Sequence, residues 1–275
     1  MDKFIMNRLT DVTFVIPIRV DSPLRSRNLD LLIDFITKNF DSKILVMETD
    51  SCQRYFVKNN NHRLQYFFTE DPRPLFHHAW TLNLLYRKVN TPIIAGWDTD
   101  ALVSAEQIMD TVEQIRNETA VIGYPYERRM YKTTAETARI YQDTLNLEFL
   151  NEITGEHRTG YEHFSNGGGF IANAEKYLQA GGENEFFIGW GCEDLERARR
   201  MEILYSQPIY RAKGKMYHLW HPRYLNSKFA DLQSEINAKK EFLKVCGMTA
   251  DELQNYIKSW PWLEDLQNQS DKICK

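Results

Sequence analysis

Long apolar runs are missing from this 275-residue sequence. None approaches the roughly 20 residues that a bilayer-spanning helix needs, so no transmembrane segment is expected. A basic excess is missing as well. Lys and Arg number 34 against 38 Asp and Glu, a net charge of −4, which leaves no electrostatic footprint for nucleic acid. Cysteine is sparse: Cys52, Cys192, Cys246 and Cys274 are scattered without metal-ligand spacing. They read as free thiols of a reducing compartment rather than as a disulfide framework. The opening residues Met1 to Met6 are interrupted by acidic and polar side chains before any hydrophobic core of a secretory leader can form, and a cytoplasmic location is the expectation. Repeats and low-complexity stretches are also absent.

What remains is an ordinary globular composition, 43% hydrophobic and 26% charged, with a high aromatic content of 13%. Val12 to Ile18 is a short β-branched apolar run, read as a buried strand. Leu29, Leu31, Leu32, Phe35 and Ile36 form a helical stripe. Lys43 to Glu48 and Leu64 to Phe68 read as strands, Phe76 to Tyr86 as a helix, and Pro92 to Trp97 as a strand. Ser104 to Arg116 reads as a capped helix and Ala120 to Tyr124 as a strand. The polar stretch from Glu127 to Gly160 shows no clear strand and is read as an insertion or flap with one helix over about Ala135 to Phe149. Strand returns near Phe164 to Ala172, behind three successive glycines. Short extended pieces follow at Gln207 to Arg211 and from Met216. After Asn226 the chain reads as helical, with a capping box at Thr249 to Glu252 and Pro261 closing the last helix. Alternating strands and helices predict an α/β fold around a mostly parallel, Rossmann-like sheet flanked by helices. The division expected is an α/β domain over 1–225 and a helical C-terminal extension over 226–275 packed on it.

Ligands of such sheets bind beyond the carboxyl ends of the strands. Arg19, Glu48 and Asp98 fall there. The segment from Arg19 through Arg25 to Arg27 supplies three guanidinium forks suited to phosphate oxygens, with a solvated loop as the alternative for each. Asp98-Thr-Asp100 at a strand end is a hard-oxygen pair suited to Mg²⁺ or Mn²⁺. His218 and His221 add imidazoles, and imidazole with carboxylate tilts the choice toward Mn²⁺. The stretch Phe187-Ile-Gly-Trp-Gly-Cys-Glu-Asp-Leu-Glu-Arg197 carries Gly189 and Gly191 around Trp190, whose flat face suits the C–H face of a sugar. Glu193 and Asp194 then open a helical run, about 100° apart, so the two carboxylates can do different jobs. One of them could take a proton from an incoming hydroxyl. Acidic residues simply favoured in a first helical turn are the competing reading.

The pattern of glycines and a hydrophobic residue, a helix, Gly-Gly, then Trp190-Gly-x-Glu193-Asp194 resembles the C-terminal motif of the β4-galactosyltransferase and chondroitin-synthase group, glycosyltransferases of the GT-A fold. The match covers roughly Phe164 to Arg200, and extends loosely to Pro17-Ile-Arg19, Phe76-x-His78 and Trp97-Asp98-Thr99-Asp100. The resemblance implies an inverting transfer of a hexose or N-acetylhexosamine, galactose-type favoured, from a UDP-sugar to a saccharide acceptor such as a lipid-linked or surface-glycan precursor. It implies Asp194 as general base and Glu193 as the residue that orients the acceptor. Asp98 would orient the nucleotide, and Asp100, His218 and His221 would hold Mn²⁺ or Mg²⁺. Pro17, Arg19, Phe76 and His78 would line the nucleotide pocket, while Glu48, from its place at a strand end, is read as a further nucleotide contact and Trp190, Gly168 and Gly189, from their chemistry, as sugar contacts. The sequence departs from the group's pattern at Leu195, where a third acidic residue is usual, at Cys192, where glycine is usual, and at His78, where arginine is commoner. A related retaining group of polypeptide N-acetylgalactosaminyltransferases has Glu-Asn in the corresponding motif and lacks a base, so Asp194 favours inversion. A sugar nucleotidyltransferase is a rival, but it would need a glycine-rich phosphate loop where Arg19 to Arg27 has no glycine. A non-catalytic carbohydrate-binding protein, the other rival, leaves Asp98, Asp100, Asp194 and His218 without a shared purpose.

Overall fold

The computed structural model describes residues 7–58, 61–152, 158–159 and 165–273. The chain opens with β1 (Val12–Ile18), buried at every position. Helix α1 (Pro23–Asn39) starts where the Ser22 side chain accepts from the Arg25 amide and Pro23 supplies a preset first turn. Then come β2 (Lys43–Asp50), β3 (Leu64–Glu70), α2 (His78–Tyr86) and β4 (Ile93–Trp97). A two-residue strand β5 (Ala101–Leu102) precedes α3 (Ala105–Arg116), which carries a complete capping box of Ser104 and Gln107. Strand β6 (Ile122–Tyr124) follows, then β7 (Met130–Lys132), α4 (Ala135–Thr144), α5 (Leu147–Glu152) and β8 (Arg158–Thr159). The second half holds β9 (Gly169–Asn173), α6 (Ala174–Gln179), α7 (Glu193–Leu204), β10 (Tyr210–Arg211) and β11 (Met216–His218). Helices α8 (Leu232–Cys246), α9 (Ala250–Lys258) and α10 (Leu263–Ile273) complete it.

Seven strands form the central sheet in the order β10-β6-β9-β4-β1-β2-β3. Strand β1 runs parallel to both β2 and β4, and β2 parallel to β3, so their carboxyl ends share one edge. The sheet is mostly parallel, but β9 inserts antiparallel between β4 and β6. A small second sheet, β5-β11-β7-β8, sits beyond that edge. Its β11 pairs antiparallel with β5 and parallel with β7.

Two expectations need correction. The segment after Glu127 contains strands β7 and β8, and its helix is broken in two. Strand β7 is too short to show alternation, and its partner β11 is distant in sequence. The helix breaks because Leu145 turns left-handed, φ 53°, and the Asn146 side chain accepts from the Glu148 and Phe149 amides to start a new helix. Pro261 does not close the last helix. The chain turns over Trp260, Pro261 and Trp262 and resumes as α10. The capping box at Thr249 and Glu252 is present. The start of the glycine strand at Phe164, and Cys274, lie outside the described residues. Cys52, Cys192 and Cys246 are free thiols.

The C-terminal helices share the core of the sheet. Leu253, Ile257, Trp260, Trp262, Leu263 and Leu266 belong to one buried apolar cluster with Phe14, Ile94 and Ile171. Helices α8 and α9 pack on α7, and α10 packs on α6 and α2. No helix among the described residues is long and apolar enough to cross a membrane. Leu266 is fully buried. Leu266→Ala is therefore expected to cost about 2–5 kcal/mol. In a urea titration this should appear as one shifted transition for the whole chain, and a separate early transition would show the terminal helices folding on their own.

Candidate active site

A cleft opens at the carboxyl ends of β1 and β4. It is lined by Pro17, Arg19, Phe76, His78, Asp98, Asp100, Gly189, Trp190, Glu193, Asp194, His218 and His221. Gly168 borders an adjoining cavity that shares Asp98, Trp190, Glu193, Asp194 and His218 with the cleft. The structure therefore brings together the residues assigned to the site from the sequence except Glu48, and of the three arginines read as phosphate forks Arg27 also stays outside.

Glu48 faces the protein interior. Its carboxylate accepts from the Arg54 and Tyr55 amides, both at 3.0 Å, and from the Tyr66 hydroxyl at 2.5 Å, and it is wholly buried. It shapes the loop after β2 and does not reach the cleft. Arg19 borders the cleft, but its donors are largely committed. Nε donates to Thr49 O at 2.9 Å, Nη1 to Arg73 O at 3.0 Å and Pro74 O at 3.3 Å, and Nη2 to Asp71 at 3.1 Å. Its guanidinium ties down the loop that presents Phe76, over whose ring it sits at 5.7 Å. Phe76 in turn meets the edge of His78 at 5.7 Å, and its amide donates to Asn226 at 3.0 Å.

On the other side of the cleft, β4 ends in a tight turn that the Trp97 indole closes by donating to Ala101 O at 2.9 Å. Strand β5 follows at once and pairs with β11, which sets His218 opposite Ala101 and so beside Asp100. The Nε2 atom of His218 lies 3.4 Å from Asp100 Oδ1, and that of His221 lies 3.1 Å from Oδ2. One ligand atom from each of Asp100, His218 and His221 falls within 4.8 Å of the others. Both imidazoles have Nδ1 against a backbone carbonyl, Leu219 O at 3.1 Å and Pro222 O at 2.8 Å. A proton held there leaves each Nε2 lone pair turned toward the carboxylate, the arrangement of histidines that ligate metal. Burial pushes His218 below its ordinary pKa against the pull of Asp100. Burial would raise the Asp100 carboxyl, but the charge of His218 and the contacts of His221 and Arg25 outweigh it and hold it below its usual range. Asp98 points differently and pairs with His78 at 3.3 Å.

The third wall is the hook into α7. Gly189, Gly191 and Cys192 all take left-handed φ, at 80°, 120° and 61°. At Gly191 an added Cβ would meet the Phe229 ring at 2.4 Å. The hook leaves Trp190 partly exposed, edge-on to Phe229 at 5.1 Å. Gly168 serves packing, since a Cβ there would strike Met216 at 2.5 Å. Asp194 is held by Arg197 Nη1 at 2.7 Å, and Arg197 is itself locked to buried Glu183 at 3.0 Å. Glu193 Oε2 is buried without a partner. Burial, then the charge of Asp194, pushes the Glu193 carboxyl up to about 7, while burial also raises Asp194 despite Arg197.

Of the three arginines read as phosphate forks, Arg25 also lines the cleft. Arg25 sits in the first turn of α1, 3.4 Å from Asp100 Oδ2 and 3.1 Å from Asp21, with Nη2 3.3 Å from a His221 ring nitrogen. The Ser22-Pro23 start signal could have aimed it at the strand end. Arg27 points away, to Asp143. Arg223 and Asn226 enter from the loop after β11, and no local pattern marks them.

No protein-family model matches the chain, and no curated protein matches it in sequence. Solved structures do match in shape. Glucosyl-3-phosphoglycerate synthase of Mycobacterium tuberculosis, solved with Mn²⁺, UDP and phosphoglyceric acid, aligns over 86% of this chain and 78% of its own, at 13% identity and a TM-score of 0.50. The mannosyltransferase PcManGT of Pyrobaculum calidifontis, solved with GDP-Man and Mn²⁺, aligns over 95% of this chain and 73% of its own, at 14% identity and 0.52. GalNAc-T7, solved with UDP, GalNAc and Mn²⁺, aligns over 96% of this chain and 54% of its own, at 10% identity and 0.52. The chain has the fold of these enzymes, GT-A.

The raised Glu193 carboxyl sets a pH signature. Because its folded pKa lies above the ordinary value of 4.5, it contributes stability below that value and loses it as pH rises through about 7. In EDTA, Glu193→Gln should therefore raise Tm over wild type by roughly 3 °C or more at pH 8, and by less than about 1 °C at pH 5. Equal differences at both pH values would remove the raised carboxyl.

Proposed function

We propose that the protein is a metal-dependent, inverting glycosyltransferase that moves a hexose or N-acetylhexosamine, galactose-type favoured, from a UDP-sugar to a hydroxyl of a saccharide acceptor. The observation that carries this reading is the convergence of Asp100, His218 and His221 on one point of a cleft that also holds Glu193 and Asp194. Neighbours in shape were solved with Mn²⁺ and UDP or GDP-Man, which supports a nucleotide-sugar donor here.

Asp100 and the Nε2 atoms of His218 and His221 would hold the cation, with Mn²⁺ favoured by the mixed carboxylate and imidazole set. Bound there, it supplies charge to neutralise the departing diphosphate. Asp98, steadied by His78, would face the ribose. Phe76 and Pro17 would form the wall for the base, with Arg19 positioning Phe76 rather than bonding the nucleotide. Trp190 gives a flat platform for a sugar ring. The Asp194 carboxylate accepts the proton of the acceptor hydroxyl as that oxygen forms its bond to the anomeric carbon. The bond from that carbon to the diphosphate oxygen breaks, and UDP leaves with the electron pair. Glu193, protonated or not, orients the acceptor. Inversion is favoured because Arg197 holds Asp194 in place at the cleft, a group that a retaining mechanism leaves without a task.

Asp194→Asn should lower transfer by about 10²–10⁴-fold. UDP affinity, read by calorimetry in the presence of Mn²⁺, should survive, and wild-type transfer by the variant would remove Asp194 from the base role. His218→Ala should raise the Mn²⁺ concentration for half-maximal UDP-sugar hydrolysis by roughly tenfold or more. An unchanged metal titration would refute that ligand.

A further inference from the structure

Arg25 reaches the Asp100–His221 pair from the first turn of α1. Its Nη1 lies 3.4 Å from Asp100 Oδ2, the oxygen that His221 Nε2 faces at 3.1 Å. Its Nη2 lies 3.4 Å from His221 Nε2 itself, while Nδ1 of that ring is set against Pro222 O. A cation held by Asp100 and His221 needs those same lone pairs, and a guanidinium can only donate to them. The arginine and the cation therefore compete for one oxygen and one nitrogen. We propose that Arg25 is a positioning residue with two seats, one on Asp100 and His221 and one on Asp21, and that from the second it meets the donor diphosphate. The cation decides between the seats. This rests on the transferase reading above and adds to it a link between cation and nucleotide.

Asp21 carries the second seat. Its Oδ1 accepts from Arg25 Nε at 3.1 Å. Its Oδ2 is buried and, among the described residues, has no hydrogen-bond partner. A buried carboxylate oxygen without a donor is costly. The arginine fork sets Nε and one terminal nitrogen in step with the two oxygens of a carboxylate. A pivot about Nε thus completes a paired contact on Asp21 and frees Asp100 and His221. The backbone stays in place, because Ser22 and Pro23 fix the start of α1, and both Asp21 and Arg25 already line the cleft. The other terminal nitrogen then keeps its N–H donors for an anion in the cleft. Arg19 is unsuited to that part, with its donors on Thr49 O, Arg73 O and Asp71, and Arg27 pairs with Asp143. A contact that one ligand breaks and the other uses couples the two, and the coupling is reciprocal.

The test is calorimetry on the full chain, with Mn²⁺ and UDP as the probes. Without nucleotide, Arg25→Ala should bind Mn²⁺ about tenfold or more tighter than wild type, because the competitor is gone. With Mn²⁺ saturating, the same variant should bind UDP about tenfold or more weaker, because a charge-assisted contact to phosphate is gone. The opposite signs are the signature, since an arginine that only supports the local structure would weaken both when removed. Asp21→Asn loses the paired seat, and should weaken UDP at saturating Mn²⁺ without tightening Mn²⁺. Arg25→Gln, closer in length, should move both affinities in the same directions as Arg25→Ala and replaces it if that variant folds poorly. Mn²⁺ affinity unchanged or lowered in the Arg25 variants, or UDP affinity unchanged in them, would overturn the two seats. A wild-type chain that binds no Mn²⁺ or no UDP would remove the transferase reading and this inference together. Hydrolysis of UDP-galactose, UDP-N-acetylgalactosamine and UDP-glucose is followed separately. Its absence beside intact opposite shifts would count against the transferase reading alone and leave the link standing.

Discussion

The chain of charges Glu183–Arg197–Asp194 is the constraint on which the rest of the structure turns. Arg197 is almost wholly buried, with Glu183 on one side and Asp194 on the other, and it lies 4.4 Å over the Phe170 ring of β9. Glu183 is satisfied further by the hydroxyls of Tyr86 at 2.9 Å and Tyr177 at 2.7 Å, and its amide donates to Asn83. Buried ion pairs add little net stability over well-packed apolar residues, yet removing one partner costs about 3–5 kcal/mol. The network therefore serves orientation more than stability. A second pair one turn on, Arg200 with Glu196 at 2.9 Å, sends its remaining donors to Ala180 O and Gly182 O. Through these bonds α7 is clamped to α2, α6 and the sheet, and its first turn is left with one direction to face.

The opposite wall is fixed by strand pairing rather than by charge. Asp100 sits between the end of β4 and the start of β5, and its carbonyl accepts from the Leu219 amide at 2.8 Å. Pairing of β5 with β11 then leaves His218 one position away from Asp100 across the ladder. A rigid sheet edge and a rigid helix start thus bound the cleft, and the loops carrying Phe76 and Arg223 fill in between.

Much of this was legible from local pattern. The apolar run of β1 is reproduced residue for residue, the capping boxes of α3 and α9 form, and the carboxylates at the end of β4 reach the cleft. The failures share a cause, which is partners far away in sequence. Glu48 ends a strand as Asp98 nearly does, but only the fold shows that Tyr55 and Tyr66 turn its carboxylate inward. Arg19 looked like a phosphate binder because nothing local reveals Asp71 and Pro74 beneath it. Strand β7 and antiparallel β9 depend on neighbours that no window of adjacent residues contains. Cys192 is the converse case, since its departure from glycine in the resembling motif coincides with a left-handed backbone that costs a side chain roughly 1–2 kcal/mol.

The pairing of β5 with β11 also has a bearing on how the molecule comes into being. Asp100 emerges early in synthesis and His218 late, and the contact joining them spans much of the chain. Contacts of such long range are the slow ones to form. A nascent or half-assembled chain thus has not yet brought Asp100, His218 and His221 together, so a cation held as proposed would be captured at the close of folding rather than act as its seed.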